Sequence, residues 1–116
     1  MRHKKDIRKL GRNKAQRKSL IRNMAISFFA YQKIETTEAK AKELRRTVER
    51  LITMGKKQDL ASIRRISSFL NHAPSVKKVQ ELGQKYRERS GGYTQVIKTS
   101  PRRGDASEMA ILQLIG

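Results

Sequence analysis

The side chains best supplied for chemistry in this 116-residue chain are cations, with 28 Lys and Arg against 10 Asp and Glu and a formal charge of +18 at pH 7. They are densest at the start, where Arg2, Lys4, Lys5, Arg8, Lys9, Arg12, Lys14, Arg17, Lys18 and Arg22 are opposed by a single acid, Asp6. Residues 1–22 thus carry +9, residues 23–90 carry +8, and residues 91–116 carry +1. The chemistry such a distribution performs is neutralisation of phosphates with release of their counterions, which gives affinity and steering without sequence readout. A segment of like charge also repels itself, so the residues before Gly11 are expected to be extended or disordered until a polyanion orders them.

Other chemistries are poorly supplied. Cysteine is absent, which removes disulfides, thiolate zinc sites and cysteine nucleophiles. His3 and His72 are the only imidazoles. The chain has no phosphate loop with Lys-Ser/Thr, no G-x-G-x-x-G, no H-E-x-x-H and no G-x-S-x-G elbow, so an enzyme is not expected, and neither is a cofactor or small-molecule substrate. Apolar stretches such as Met24-Ala25-Ile26 fall far short of the roughly 20 residues needed to cross a bilayer. The basic start lacks the apolar core of a secretory signal, and Asp6 is out of place in a transit peptide.

The elements that must position these cations follow from periodicity and caps. Asn13 followed by Gln16 resembles a capping box, and Leu20, Ile21, Met24, Ala25, Phe28 and Phe29 recur at helical spacing, giving a helix over about 13–31. Arg17, Lys18 and Arg22 are expected mostly off that apolar stripe, as a basic face without acidic partners one turn away. Tyr31 to Thr36 suits a short strand. Thr36 or Thr37 then caps a second helix whose inward residues are Ala41, Leu44, Val48, Leu51 and Ile52, stopping at Gly55. Its outward side carries Lys40, Lys42, Glu43, Arg45, Arg46, Glu49 and Arg50, where Lys42, Arg46 and Arg50 repel across successive turns until a phosphate relieves them.

Asp59 caps a third helix that turns Ile63, Ile66 and Leu70 inward and ends near Asn71. Pro74 opens a fourth helix with Val76, Val79 and Leu82 inward, and Gly83 is expected to end or bend it, leaving Lys85, Arg87 and Arg89 on a connector. His72 falls in the break between these helices and reads as a solvated loop imidazole. After the Gly91-Gly92 turn, Tyr93 to Thr99 and Met109 to Ile115 read as strands of a hairpin joined through Pro101 to Asp105. The last strand, apolar on both faces, should be central or covered by helices. The expected architecture is α+β: about four helices packed on a small three-stranded sheet, with a basic extended arm over 1–12 and a single domain over 13–116. Tyr93 could stack on a base or belong to the core, and Arg102 and Arg103 at the hairpin tip could contact phosphate or form a plain solvated turn.

Several ordered motifs carry a family resemblance: Met1-Arg2-His3-Lys4-Lys5, Lys9-Leu10-Gly11-Arg12, Arg22-Asn23-Met24, Thr36-Thr37 with Lys40 to Arg45, Gly91-Gly92-Tyr93-Thr94, and Arg102 to Asp105 with Met109-Ala110. In these the chain resembles, over essentially its whole length, the bacterial large-subunit ribosomal proteins numbered seventeen. It departs from the family's usual residues at Gln16, Gln32, Gln95 and Gln113. The resemblance implies a cytoplasmic, structural ribosomal protein that binds large-subunit ribosomal RNA near the polypeptide exit. Its partners would be that RNA and neighbouring ribosomal proteins, with no membrane.

The residues expected at RNA are the arm (Arg2, His3, Lys4, Lys5, Arg8, Lys9, Arg12), the first helix (Lys14, Arg17, Lys18, Arg22, Asn23), the second helix (Lys42, Arg45, Arg46) and the tail (Tyr93, Thr94, Arg102, Arg103). Two other classes fit the charge less well. A free DNA-binding, nucleoid-type protein would need a helix-turn-helix, which the loops at 55–58 and 71–73 match only weakly. A membrane-surface module would need an apolar face that the arm lacks.

Overall fold

The computed structural model describes residues 13–116. Their elements run α1 (Lys14–Tyr31), β1 (Lys33–Thr37), α2 (Glu38–Gly55), α3 (Leu60–Leu70), α4 (Ala73–Lys85), β2 (Thr94–Lys98) and β3 (Met109–Leu114). The fold is α+β, with four helices and a three-stranded antiparallel sheet among the described residues. The expected arm, residues 1–12, lies outside them.

Local chemistry sets the helix ends. At Asn13 both halves of the capping box form: the Gln16 N–H donates to Asn13 Oδ1 at 2.8 Å, and the Asn13 N–H donates to Gln16 Oε1 at 3.4 Å. Thr37 Oγ1 accepts from the Lys40 N–H and opens α2, while Asp59 Oδ1 accepts from the Ser62 N–H at 2.9 Å and opens α3. Gln32 and Asn71 close α1 and α3 in the left-handed conformation, with φ of 65° and 50°. His72 stands at the N-cap of α4, exposed, its ring Nδ1 2.7 Å from Ser75 Oγ.

Gly83 does not end α4. The helix continues to Lys85, with Gly83 buried in it where α4 crosses α2. A Cβ on Gly83 would stand 2.4 Å from the Gly55 carbonyl carbon and oxygen, so the glycine is there for close approach of two backbones.

The strand order is β1-β3-β2, which puts β3 in the centre, as its apolar run demanded. Register sorts the side chains into two faces. On the inner face Leu112 lies between Ile34 and Val96, and these pack with α2. On the outer face Ile111 lies between Glu35 and Ile97. The core between the helices and the inner face is built from Phe28, Phe29, Leu44, Val48, Ile52, Ile66, Leu70 and Leu112, all at most 1 % exposed. Phe28 and Phe29 meet edge to face at 5.5 Å. Burying each of these large side chains contributes about 1.5–3 kcal/mol, enough to hold the cations outside in fixed relation.

Candidate nucleic-acid interface

The basic residues of α1 are divided from its apolar residues along the helix rather than around it. At 3.6 residues per turn, Lys14, Lys18, Ile21 and Ala25 share one line, so the charged side and the apolar side are the same side at different heights. Residues 13–20 are exposed or half-buried, whereas Ile21, Met24, Ala25, Phe28 and Phe29 are buried. The expected two-faced helix is therefore a helix whose first two turns project past the core and whose later turns anchor it. Lys14 and Lys18 are exposed, and Arg17 half-buried. Among the described residues no acid pairs with any of the three, and the first turn of α1 holds no acid.

Arg22 marks the transition. It is half-buried, and its Nε donates to the Phe69 carbonyl at 3.0 Å, satisfying an acceptor in the last turn of α3. Asn23 beside it is exposed. On α2, Lys42, Arg45 and Arg46 are exposed, but Lys42 lies 3.4 Å from Glu38 and Arg45 4.0 Å from Glu49, so part of that charge is compensated within the helix. Partial burial pushes the Glu38 carboxyl up, but hydrogen bonding and attraction from Lys42, with Lys98, outweigh it and hold the group below its ordinary range.

Tyr93 and Thr94 lie inside the protein. The Tyr93 ring is 1 % exposed, packs at 5.3 Å against Tyr86, and shares hydrogen bonds of 3.0 Å through its hydroxyl with Thr53 Oγ1 and Lys56 Nζ. The choice between stacking platform and core residue thus falls to the core. Thr94, also 1 % exposed, donates its N–H to Glu49 Oε2 at 2.8 Å and its hydroxyl to the same oxygen at 2.6 Å; the Tyr93 N–H donates to Glu49 Oε1. Glu49, expected on the outward side of α2, is instead the clasp that ties β2 to the helix. Its position roughly 60° around the helix from Ile52, at the border of the apolar stripe, was the available signal.

At the hairpin tip Arg102 holds Asp105 through two hydrogen bonds, Nη2 to Oδ2 at 2.8 Å and Nε to Oδ1 at 3.2 Å. This guanidinium, helped by the Ser107 N–H, holds the Asp105 carboxyl far below the usual carboxylate range. Arg102 is thus part of the turn's own structure, while Arg103 is exposed beside it. Arg2, His3, Lys4, Lys5, Arg8, Lys9 and Arg12 lie outside the described residues. Sequence reasoning also passed over the cations of α3 and the turn before it: Lys57, Arg64 and Arg65 are exposed. No group of His, Cys, Asp and Glu that could hold a metal occurs among the described residues, and no helix among them is long and apolar enough to cross a membrane.

The arrangement can therefore present cations to an anionic polymer, and among the described residues it offers no convergent acid-base or nucleophilic set. Residues 20–115 match the model of the family described as ribosomal protein L17. The chain is 51 % identical over 116 residues to the large ribosomal subunit protein bL17 of Fusobacterium nucleatum, covering 99 % of this chain and 100 % of that one. It is 51 % identical over 109 residues to the bL17 of Natranaerobius thermophilus, covering 93 % and 96 %, and 46 % identical over 116 residues to that of Pelobacter propionicus, covering 99 % and 91 %. This chain belongs to the ribosomal protein L17 family, whose members are structural proteins of the ribosome and not enzymes.

Proposed function

We propose that the chain is a structural constituent of the large ribosomal subunit, and that it binds large-subunit ribosomal RNA through residues 1–12 and the projecting first turns of α1, on the side where the polypeptide leaves the exit tunnel. The observation that carries this is the position of Lys14, Arg17 and Lys18 beyond the core, unpaired with any acid among the described residues and continuous in sequence with six more cations before residue 13. Residues 13–116 act as one α+β domain that holds this basic segment in place. Lys42, Arg45, Arg46, Asn23, Arg102 and Arg103 are exposed secondary contacts. The exit-side location and the cytoplasmic setting rest on the resemblance of the motifs to the bacterial family. Nothing in the arrangement favours a free DNA-binding protein.

The test measures affinity for a large-subunit RNA fragment against salt, for the native chain and for one with Arg2, Lys4, Lys5, Arg8, Lys9 and Arg12 replaced by Gln. Each cation that neutralises a phosphate should, when replaced, flatten the log-log slope by roughly 0.7–0.9. An unchanged slope refutes the reading. The native chain should also stay with large subunits through a wash at moderate salt.

A further inference from the structure

We propose that the outer face of the sheet, centred on Ile111 and Ile97 and bordered by Tyr31, is a docking surface for an extended, apolar-bearing segment of a neighbouring large-subunit protein. The inference deepens the reading above and rests on it, since the partner is sought within the subunit.

The first observation is apolar exposure in one row. Ile97 and Ile111 are register partners on adjacent strands, so their side chains are neighbours on the outer face. Ile97 is 42 % exposed and Tyr31 76 %, the latter at the last residue of α1 where the chain turns into the sheet. Between Tyr31, Lys33, Ile34, Glu35 and Ile111 the surface forms a cleft of about 290 Å³, able to receive an apolar side chain. No helix covers this face among the described residues: α2 packs with the inner-face residues Ile34, Leu112 and Val96.

The balance of charge on this face points to a protein occupant. The outward strand residues include one cation, Lys33, and one carboxylate, Glu35, the remainder being Thr37, Gln95, Ile97, Met109, Ile111 and Gln113. This face is neutral in a chain of +18. A phosphate backbone gains its affinity from cations, and here the single lysine is offset two residues away. Apolar side chains with a balanced polar rim are the features of a protein contact. Both flanking strands, β1 and β2, lie at sheet edges with one partner strand each, which suits an extended segment laid along them.

The test uses the absence of cysteine, which makes any introduced thiol unique. Ile97→Cys, Tyr31→Cys and Lys14→Cys chains are each labelled with a benzophenone maleimide, reconstituted into large subunits and irradiated. The Ile97 and Tyr31 labels should form adducts that protease removes and ribonuclease does not, mapping to a peptide of a neighbouring protein; the Lys14 label should capture RNA. If the Lys14 label captures RNA while the other two give RNA alone or no adduct, the docking proposal is overturned and the RNA-binding reading stands. Absence of all adducts, or of the labelled chain from the subunit, overturns both. An independent variant, Ile97→Glu, should melt within a few degrees of the native chain and be lost from subunits several-fold faster in a salt wash. Equal retention counts against the proposal.

Discussion

The first two turns of α1 and the outer face of the sheet are both exposed, yet they offer opposite chemistry. One projects Lys14, Arg17 and Lys18 with no acid in its first turn; the other balances Lys33 against Glu35 around Ile97 and Ile111. The physical reason for segregation lies in the pairing of strands, because like charges directly opposite one another destabilise a sheet. The register avoids that conflict: Lys33 faces Gln113 with Gln95 beyond it, and Glu35 faces Ile111 with Ile97 beyond it. A helix tolerates crowded cations better, since its backbone bonds close within the segment and its side chains splay into water. The chain thus keeps its charge where no cross-strand pairing depends on its absence.

Both regions are attached to the helical core, and forcing α2 and α4 apart within it should have the largest effect. Gly83→Ala places a Cβ 2.4 Å from the Gly55 carbonyl and 2.7 Å from the Lys56 nitrogen, all backbone atoms that no rotamer change can move. The expected cost is about 3 kcal/mol, read as a lower denaturant midpoint by both circular dichroism and tyrosine fluorescence. An unshifted midpoint would mean that the helices separate freely. Next in size is Glu49→Ala, which strips two backbone N–H groups and the Thr94 hydroxyl of their acceptor and should cost about 2 kcal/mol. Its signature sharpens the comparison: amide exchange should accelerate at Thr94 and along β2 while α1 and α3 keep their protection.

These two residues also mark where the fold stopped being legible in the sequence. Elements governed by local rules were readable, because a cap such as Asn13, Thr37 or Asp59 and a stripe of apolar residues act within a few positions of themselves. The β2–β3 hairpin was readable for the same reason, whereas the strand order was not, because β3 also pairs with β1, more than 70 residues away. Gly83 was not, since a glycine that lets two helices touch looks the same in sequence as one that ends a helix. Glu49 was hidden because its partners are more than 40 residues away. The basic stretch of α1 was visible as composition, but its placement beyond the core depends on where the neighbouring helices stop. For Tyr93 the sequence held two readings, and burial beside Tyr86 decided between them.

A smaller effect should separate the two regions functionally. Replacing Lys14, Arg17 and Lys18 by Gln should weaken binding to a large-subunit RNA fragment at least tenfold, about 1.4 kcal/mol, and flatten the salt slope by roughly 2–3. Ile97→Ser should leave both quantities unchanged, because the outer face is neutral. Equal losses from the two variants would erase the distinction between a nucleic-acid surface and a protein surface.

The smallest effect expected is acid sensitivity confined to one side of the comparison. Asp59 is held below its ordinary range by hydrogen bonds from Ser62, Asp105 by Arg102, and Glu38 by Lys42 and Lys98 against the opposing effect of partial burial. A carboxylate lowered on folding stabilises the native state above its unfolded pKa, and that contribution is lost as pH falls through the folded value. Stability should therefore be flat from neutral pH down to the ordinary carboxylate range and decline below it. Because Asp59 and Asp105 are exposed and Glu38 is only half-buried, the melting temperature should fall by only a few degrees before global acid unfolding sets in. The loss should also be local: Asp105 sits in the β2–β3 turn, Glu38 at the joint of β1 and α2, and Asp59 at the start of α3, whereas the first turn of α1 contains no acid to protonate. Amide exchange compared at pH 4 and pH 3, after correction for the intrinsic rate, should rise at Ser62 and Ser107 and stay constant through Lys18. Asp105→Asn should abolish the change at Ser107 alone, since amide for carboxylate removes both the charge that Arg102 holds and the site that titrates.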